Sequence, residues 1–302
     1  MSMVIKDNSE TFRLLGNYNK SSDAMHKSML KISSGMKIGS SGDDPANWAI
    51  TERMRERIRA IDQADRNVQN DTSMIKVADD ALSNTIEIIQ KLKERAVNSA
   101  DDHNNEHDRM VIQSEVEVLL NQIDTNSYAA SFNGQKLLDG SWAEDGLNFH
   151  VGGDANFAIR LKLDKVTSET LGLDKLDLST WEGSQEALGV KDADGNYVSS
   201  ITDSDGNKIF GILDTAMRRA IDQQTTIGAM EERLGYAREN IINMEENMED
   251  AESRITNADM AKEMTNYVKW NIQLQASQYI LAQQNQIAAS ALDLLAPVQS
   301  AG

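Results

Sequence analysis

Apolar residues recur along much of this chain at alternating steps of three and four, the spacing that keeps one stripe on one side of a helix. Near the start the stripe reads Leu15, Tyr18, Ser22, Met25, Met29, Ile32 and Met36, and near the end Met260, Met264, Tyr267, Asn271, Leu274, Gln278 and Leu281. A longer inner run reads Met54, Ile58, Ile61, Asp65, Val68, Thr72, Ile75, Asp79, Leu82, Ile86 and Ile89, and resumes with Ile112, Val116, Leu119 and Ile123. A returning helix carries Leu213, Met217, Ile221, Ile227, Leu234, Ile241, Met248 and Ile255 at looser spacing. The predicted fold is therefore mainly α, with long coiled-coil or bundle helices contributed by both ends. Polar residues interrupt every stripe, so no single seam makes a stable rod. Two readings follow: neighbouring copies complete the burial, or the helices close on themselves as an ordinary intramolecular bundle.

The middle has a different grammar. Leu147, Phe149 and Val151 alternate with polar residues, Gly152-Gly153-Asp154 turns the chain, and Phe157, Ile159, Leu161 and Leu163 alternate again, which predicts a β-hairpin with one buried face. From Gly189 to Gly211, short strands are predicted around Asp192-Ala193-Asp194-Gly195 and Asp203-Ser204-Asp205-Gly206, since Asp-Gly pairs favour tight turns. Asp44-Pro45 reads as a helix N-cap followed by proline at the first helical position, and Pro297 as the stop of the last helix. The expected organisation is an N-terminal helical arm and elbow (1–42), an inner bundle with the hairpin (43–180), a short β-containing surface insertion (181–211), a returning inner helix (212–256) and a C-terminal arm (257–302).

Charge narrows the partners. With 48 Asp and Glu against 30 Lys and Arg, the formal charge of −18 opposes binding to nucleic-acid phosphates or anionic lipid. Zero cysteines exclude disulfides and thiolate-held metals. No run approaches the roughly 20 apolar residues of a membrane span, and residues 1–10 lack the apolar core of a Sec-type leader. If the chain leaves the cell, another export route is expected.

Candidate chemistry is thin. His103-Asn104-Asn105-Glu106-His107 matches an inverted zinc-protease string, which needs both imidazoles one helical turn apart. It follows Asp101-Asp102 in a polar stretch without an evident third ligand, so a turn between helices is the favoured reading. Asp192, Asp194, Asn196 and Asp203, and again Asp203, Asp205, Asn207 and Asp214, imitate calcium-loop spacing, yet Tyr197 or Lys208 stands where that loop needs glycine. The imidazoles are His26, His103, His107 and His150, and no Gly-x-Ser-x-Gly or P-loop string accompanies them, so no enzyme and no cofactor are expected.

The stretch LKISSGMKIGSSGDDPANWAI, from Leu30 to Ile50, resembles the N-terminal signature of bacterial flagellins. Gln90 to Ala100, SFNGQKLLDGS from Ser131, LGLDKLDLST from Leu171, AESRITNADMAKEMTN from Ala251 and SQYILAQQNQ from Ser277 are similar to flagellin segments in flagellin order. The resemblance implies an exported, extracellular subunit that polymerises with itself into the flagellar filament. It also implies terminal arms that pair as a coiled coil in the filament core and order only on assembly. Implied partners are a flagellar export chaperone, cap proteins and hook-associated junction proteins. A junction protein is itself the nearest rival reading. The expected assembly core is Leu15, Met25, Met29 and Ile32 on one arm with Met264, Leu274, Leu281 and Leu292 on the other.

The same resemblance marks a surface that a Toll-like innate receptor reads. Lys91, Glu94 and Glu115 match charged contact positions there, whereas Arg95 stands where receptor-activating members of the family carry leucine. A charge in place of an apolar contact is expected to weaken recognition.

Overall fold

The computed structural model describes residues 9–191, 196–202 and 208–295. Seven α-helices occur among these residues: α1 (Ser9–Ser34), α2 (Pro45–Ser99), α3 (Glu106–Ala129), α4 (Ser168–Leu171), α5 (Trp181–Leu188), α6 (Ile212–Thr256) and α7 (Met260–Leu295). Between them lie four antiparallel hairpins, β1–β2 (Ser131–Phe132, Gln135–Lys136), β3–β4 (Leu147–His150, Ala158–Leu161), β5–β6 (Val190–Lys191, Tyr197–Val198) and β7–β8 (Ser200–Thr202, Lys208–Phe210). The mainly α class with small β regions is as predicted. No described helix is long and apolar enough to cross a membrane. The chain divides into two compact units, residues 1–58 with 246–302, and residues 59–245.

In the second unit the core is built on α2, α3 and α6. On α2 the predicted anchors Ile61, Val68, Ile75, Leu82 and Ile89 are all buried. The alternate row falls three residues after each anchor rather than four, on buried Ala64, Ala78, Thr85 and Leu92 with half-buried Asp71 among them, while the predicted Asp65, Thr72, Asp79 and Ile86 are only half-buried flanks. Alanine and threonine on that row let helices approach closely, a preference that a search for large apolar residues overlooks. α6 repeats the pattern with Leu213, Ala216, Ala220, Ile227, Met230, Leu234 and Ile241 buried, whereas the predicted Ile221 faces solvent. Ile112, Val116 and Ile123 of α3 are buried as expected. Ion pairs Asp65–Arg238 (2.9 Å), Lys76–Glu231 (3.6 Å) and Lys93–Asp214 (2.6 Å) run along the partly exposed edge between α2 and α6 and set their antiparallel register more than their stability.

This second row of α2 contains one carboxylate, on the half-buried Asp71. Asp71 Oδ2 is covered and accepts no hydrogen bond, and this burial pushes its pKa up to about 6 from 3.8. Between those values the folded chain holds a proton that the unfolded chain has released, so stability falls as pH rises through that window. Asp71→Asn should therefore stabilise the second unit at pH 7, by about 1–2 kcal/mol after allowing for the half-exposed site. Thermal melts of both proteins from pH 4 to 7 test this; parallel profiles would rule out Asp71 as the source.

The β3–β4 hairpin pairs Leu147 with Leu161 and Phe149 with Ile159, and all four side chains are buried. Its turn lies on α2, where a Cβ on Gly153 would stand 3.3 Å from that of Ala60. Phe157 departs from the predicted alternation: it precedes β4, is largely exposed and lies against Gly152. The insertion holds a short helix absent from the sequence reading, because α5 begins with Thr180 capping the N–H of Gly183. Buried Ser184 fixes α5 to the end of α2, donating to Ser99 Oγ (3.0 Å), which in turn donates to the Leu178 carbonyl (2.8 Å).

Candidate assembly surface

In the first unit α1 and α7 pack against each other, antiparallel, with Gly35 bonded to Ala258 at one end and Tyr18 Oη 3.5 Å from Gln278 Nε2 further along. The less exposed positions of α1 include Leu14, Tyr18, Ser21, Met25, Ser28 and Ile32, continued by Gly35 just after it, and those of α7 include Glu263, Tyr267, Trp270, Leu274, Ser277, Leu281 and Gln284. Both are regular alternations of four and three. As in α2, the anchors spaced seven apart match prediction and the second row follows them by three. Small Ser21 and Ser28 are buried in that row, while Leu15 and Met29, each 45% exposed, are pushed to the flank.

The seam accordingly brings together four of the eight predicted assembly residues, Met25 and Ile32 with Leu274 and Leu281, all half-buried. Leu15, Met29 and Met264 remain outside it. Leu292 lies in the last turns of α7, outside the residues whose side chains are described, and Pro297 lies beyond the described residues.

A second apolar stripe was not read from the sequence. At 100° per residue, Val268, Ile272 and Tyr279 project roughly opposite to the seam of α7, with Met264 on its flank, and all four are exposed, Tyr279 by 77%. Ile287 is exposed on the other flank of the seam. The signal was present as an α7 that is apolar around most of its circumference. Such a helix is stable only when covered on more than one side.

The root of the arm pair is tied by backbone. Lys37 donates to the Thr256 carbonyl at 2.6 Å and Ala258 to that of Gly35 at 2.9 Å, forming an antiparallel bridge between Met36 and Asn257. Gly35 has φ of +72°, a left-handed angle suited to glycine, and the adjacent Ile38 is buried. The Ser-Gly elbow is more bonded than its composition predicts. Asp43 Oδ2 accepts from the N–H groups of Gly39 and Ser40 and from the Ser40 hydroxyl, and these bonds, Gly39 first, hold its pKa below the usual carboxylate value. Asp44 caps α2 through the N–H of Asn47 and Pro45 opens the helix, as predicted.

The other candidates resolve separately. On α2, Lys91 and Glu94 are exposed, and Arg95 Nε reaches Glu115 Oε1 of α3 at 3.0 Å. His103 sits in a turn, bonded to Asp101, while α3 starts only at Glu106 behind the capping box of Asn105 and Asp108. The two imidazoles therefore do not share a helical turn, and the zinc-string geometry is not met. The calcium-like strings depend on residues 192–195 and 203–207, which lie outside the described residues.

Residues 5–143 match the family model for the bacterial flagellin N-terminal helical region and residues 210–295 that for the bacterial flagellin C-terminal helical region. The flagellar filament 33 kDa core protein of Treponema phagedenis is 37% identical over 97% of this chain and 100% of its own length. The flagellin of Bacillus subtilis is 34% identical at the same coverage of both chains. The chain belongs to the bacterial flagellin family.

Both flagellin regions contain an arm, and residues 144–209 lie between them. This flagellin also shares its fold with a putative flagellar hook-associated protein from Vibrio parahaemolyticus, at a TM-score of 0.55 and 13% identity, covering 71% of this chain and all of that one. That likeness is one of architecture alone.

Proposed function

We propose that this flagellin is an exported structural subunit that polymerises with copies of itself into the filament of the bacterial flagellum, outside the cell and without catalysing a reaction. The observation that carries the reading is the second apolar face of α7, which α1 leaves uncovered. Covering Met264, Val268, Ile272, Tyr279 and Ile287 contributes roughly 1–2 kcal/mol each at about 25 cal/mol per Å². Their sum is of the same order as the roughly 4–15 kcal/mol lost in immobilising a partner. One neighbour therefore barely breaks even. Several neighbours, as in a helical lattice, make assembly favourable, and the first contacts are the slow ones.

Leu15 and Met29 on the flank of α1 then meet adjacent copies, while Met25, Ile32, Leu274 and Leu281 complete the interior of the arm core. Interrupted seams of this kind support arms that order fully only on assembly. Seeding purified monomer with filament fragments tests the reading. Long regular filaments by electron microscopy are expected, and monomer that stays unpolymerised with seeds across salt and pH would overturn it.

The family resemblance also supports an export chaperone, cap proteins and junction proteins as partners, since an α7 exposed on one whole face needs cover before assembly. For a Toll-like receptor, Arg95 is doubly unfavourable: it places a charge at an apolar position and engages Glu115, a second contact position. Arg95→Leu should raise activation of receptor-bearing reporter cells, and equal activation by both proteins would refute this assignment.

A further inference from the structure

The chain has 14 methionines and no cysteine, so thioethers are its only sulfur groups. They are unevenly protected. Met74 and Met230 of the second unit are each only 8% exposed, whereas Met29, Met260 and Met264 of the arm pair are 45%, 44% and 49% exposed; Met110 and Met244 of the second unit are exposed as well, at 54% and 46%, but outside the arms. The antiparallel pairing that joins Gly35 to Ala258 also brings Met29 and Met264 to the same level of the arm pair. In the unassembled subunit Met29 and Met264 thus lie open on the surface assigned above to contacts between copies, with exposed Met260 one helical turn from Met264.

We propose that Met29, Met260 and Met264 are sites of reversible sulfoxidation that block polymerisation of the free subunit. In each event a thioether lone pair attacks one oxygen of a peroxide, the O–O bond breaks, and sulfur gains that oxygen; with hydrogen peroxide the other oxygen leaves as water. Sulfur is oxidised and the peroxide is reduced. A flexible apolar group becomes a strong hydrogen-bond acceptor with no donor opposite it in an apolar contact. One such acceptor buried unpaired per contact is enough to raise the concentration needed for assembly about 10-fold or more. Once copies cover these sulfurs, the filament resists the same oxidant. The inference rests on the arms being the polymerising surface.

The full chain, as monomer and as seeded filament, is treated with hydrogen peroxide, its methionines are followed by peptide mass spectrometry, and assembly is measured by sedimentation. In monomer, Met29, Met260 and Met264 should oxidise several-fold faster than Met74 and Met230, with assembly lost in parallel; in filaments all five should be protected. The triple variant Met29→Leu, Met260→Leu, Met264→Leu should keep assembling after treatment. Because leucine at three positions could itself impair packing, a second measurement uses the oxidised natural sequence: the two methionine sulfoxide reductases, one for each sulfoxide epimer, supplied with a dithiol that is oxidised to its disulfide while the sulfoxide oxygen leaves as water, should restore its assembly. Uniform oxidation of all five methionines, undiminished assembly of oxidised monomer, or failure of reduction to restore assembly would overturn the proposal. If untreated protein never forms filaments, the parent reading fails and this one with it; normal untreated assembly that peroxide leaves unchanged removes the switch alone.

Discussion

A chain ending at Ala276 should form no filaments, even with seeds and at high protein concentration. The deletion removes Ser277, Leu281 and Gln284 from the seam with α1, Tyr279 from the opposite face of α7 and Ile287 from its flank. Both sides of the helix lose apolar surface at once, and the lone contact energy is already close to the cost of immobilising a copy. A gentler version keeps the length: Leu274→Asp with Leu281→Asp places two carboxylates in the half-buried seam, where each lacks a partner. Sedimentation and electron microscopy read the outcome. Normal-length filaments from either protein would mean that the arms do not carry assembly.

Leu82→Ala should destabilise the second unit severely. Leu82 is fully buried on the anchor row of α2. Cavity formation adds to the lost transfer energy, for a cost of about 3 kcal/mol and a fall in melting temperature of roughly 6–12 °C in a unit of this size. Ile86→Ala serves as the contrast. Ile86 belongs to the row that the sequence predicts and the fold leaves half-buried, so its truncation should cost less than half as much. Differential scanning calorimetry of the monomeric full chain separates the two, and equal losses would contradict the observed placement of the second row.

That placement explains what was legible in the sequence and what was not. Anchors seven residues apart, such as Met25 and Ile32 or Val68, Ile75 and Leu82, stand out because they are large and apolar and only a helix aligns them. The second row is ambiguous, since positions three and four after an anchor lie on either side of the same stripe. Size tips a sequence reading toward Leu15, Met29 and Met264. Packing instead fills that row with Leu14, Ser21 and Ser28 on α1 and with Glu263, Trp270 and Ser277 on α7, a mixture of sizes in which the serines let the helices close. The same displacement puts Asp71 on the second row, where its Oδ2 is covered and its pKa is raised.

Half of the predicted assembly residues consequently belong to the seam within one chain, and others lie on surface available to copies. The distinction depends on which side of an anchor a residue falls, and only the packed pair reveals it. The hairpin was readable from strict alternation, except at Phe157, where the chain was still turning. α5 was hidden because its eight residues carry too few apolar positions to establish a period, and its anchor is the hydroxyl pair Ser99–Ser184.

The tie between residues 35–38 and 256–258 uses only main-chain atoms. Tension applied to either end of the polypeptide is therefore divided between two strands at the foot of the arms, as in a splice. Substitutions among the neighbouring side chains leave those donors and acceptors in place, so the splice can hold its form while the residues around it drift.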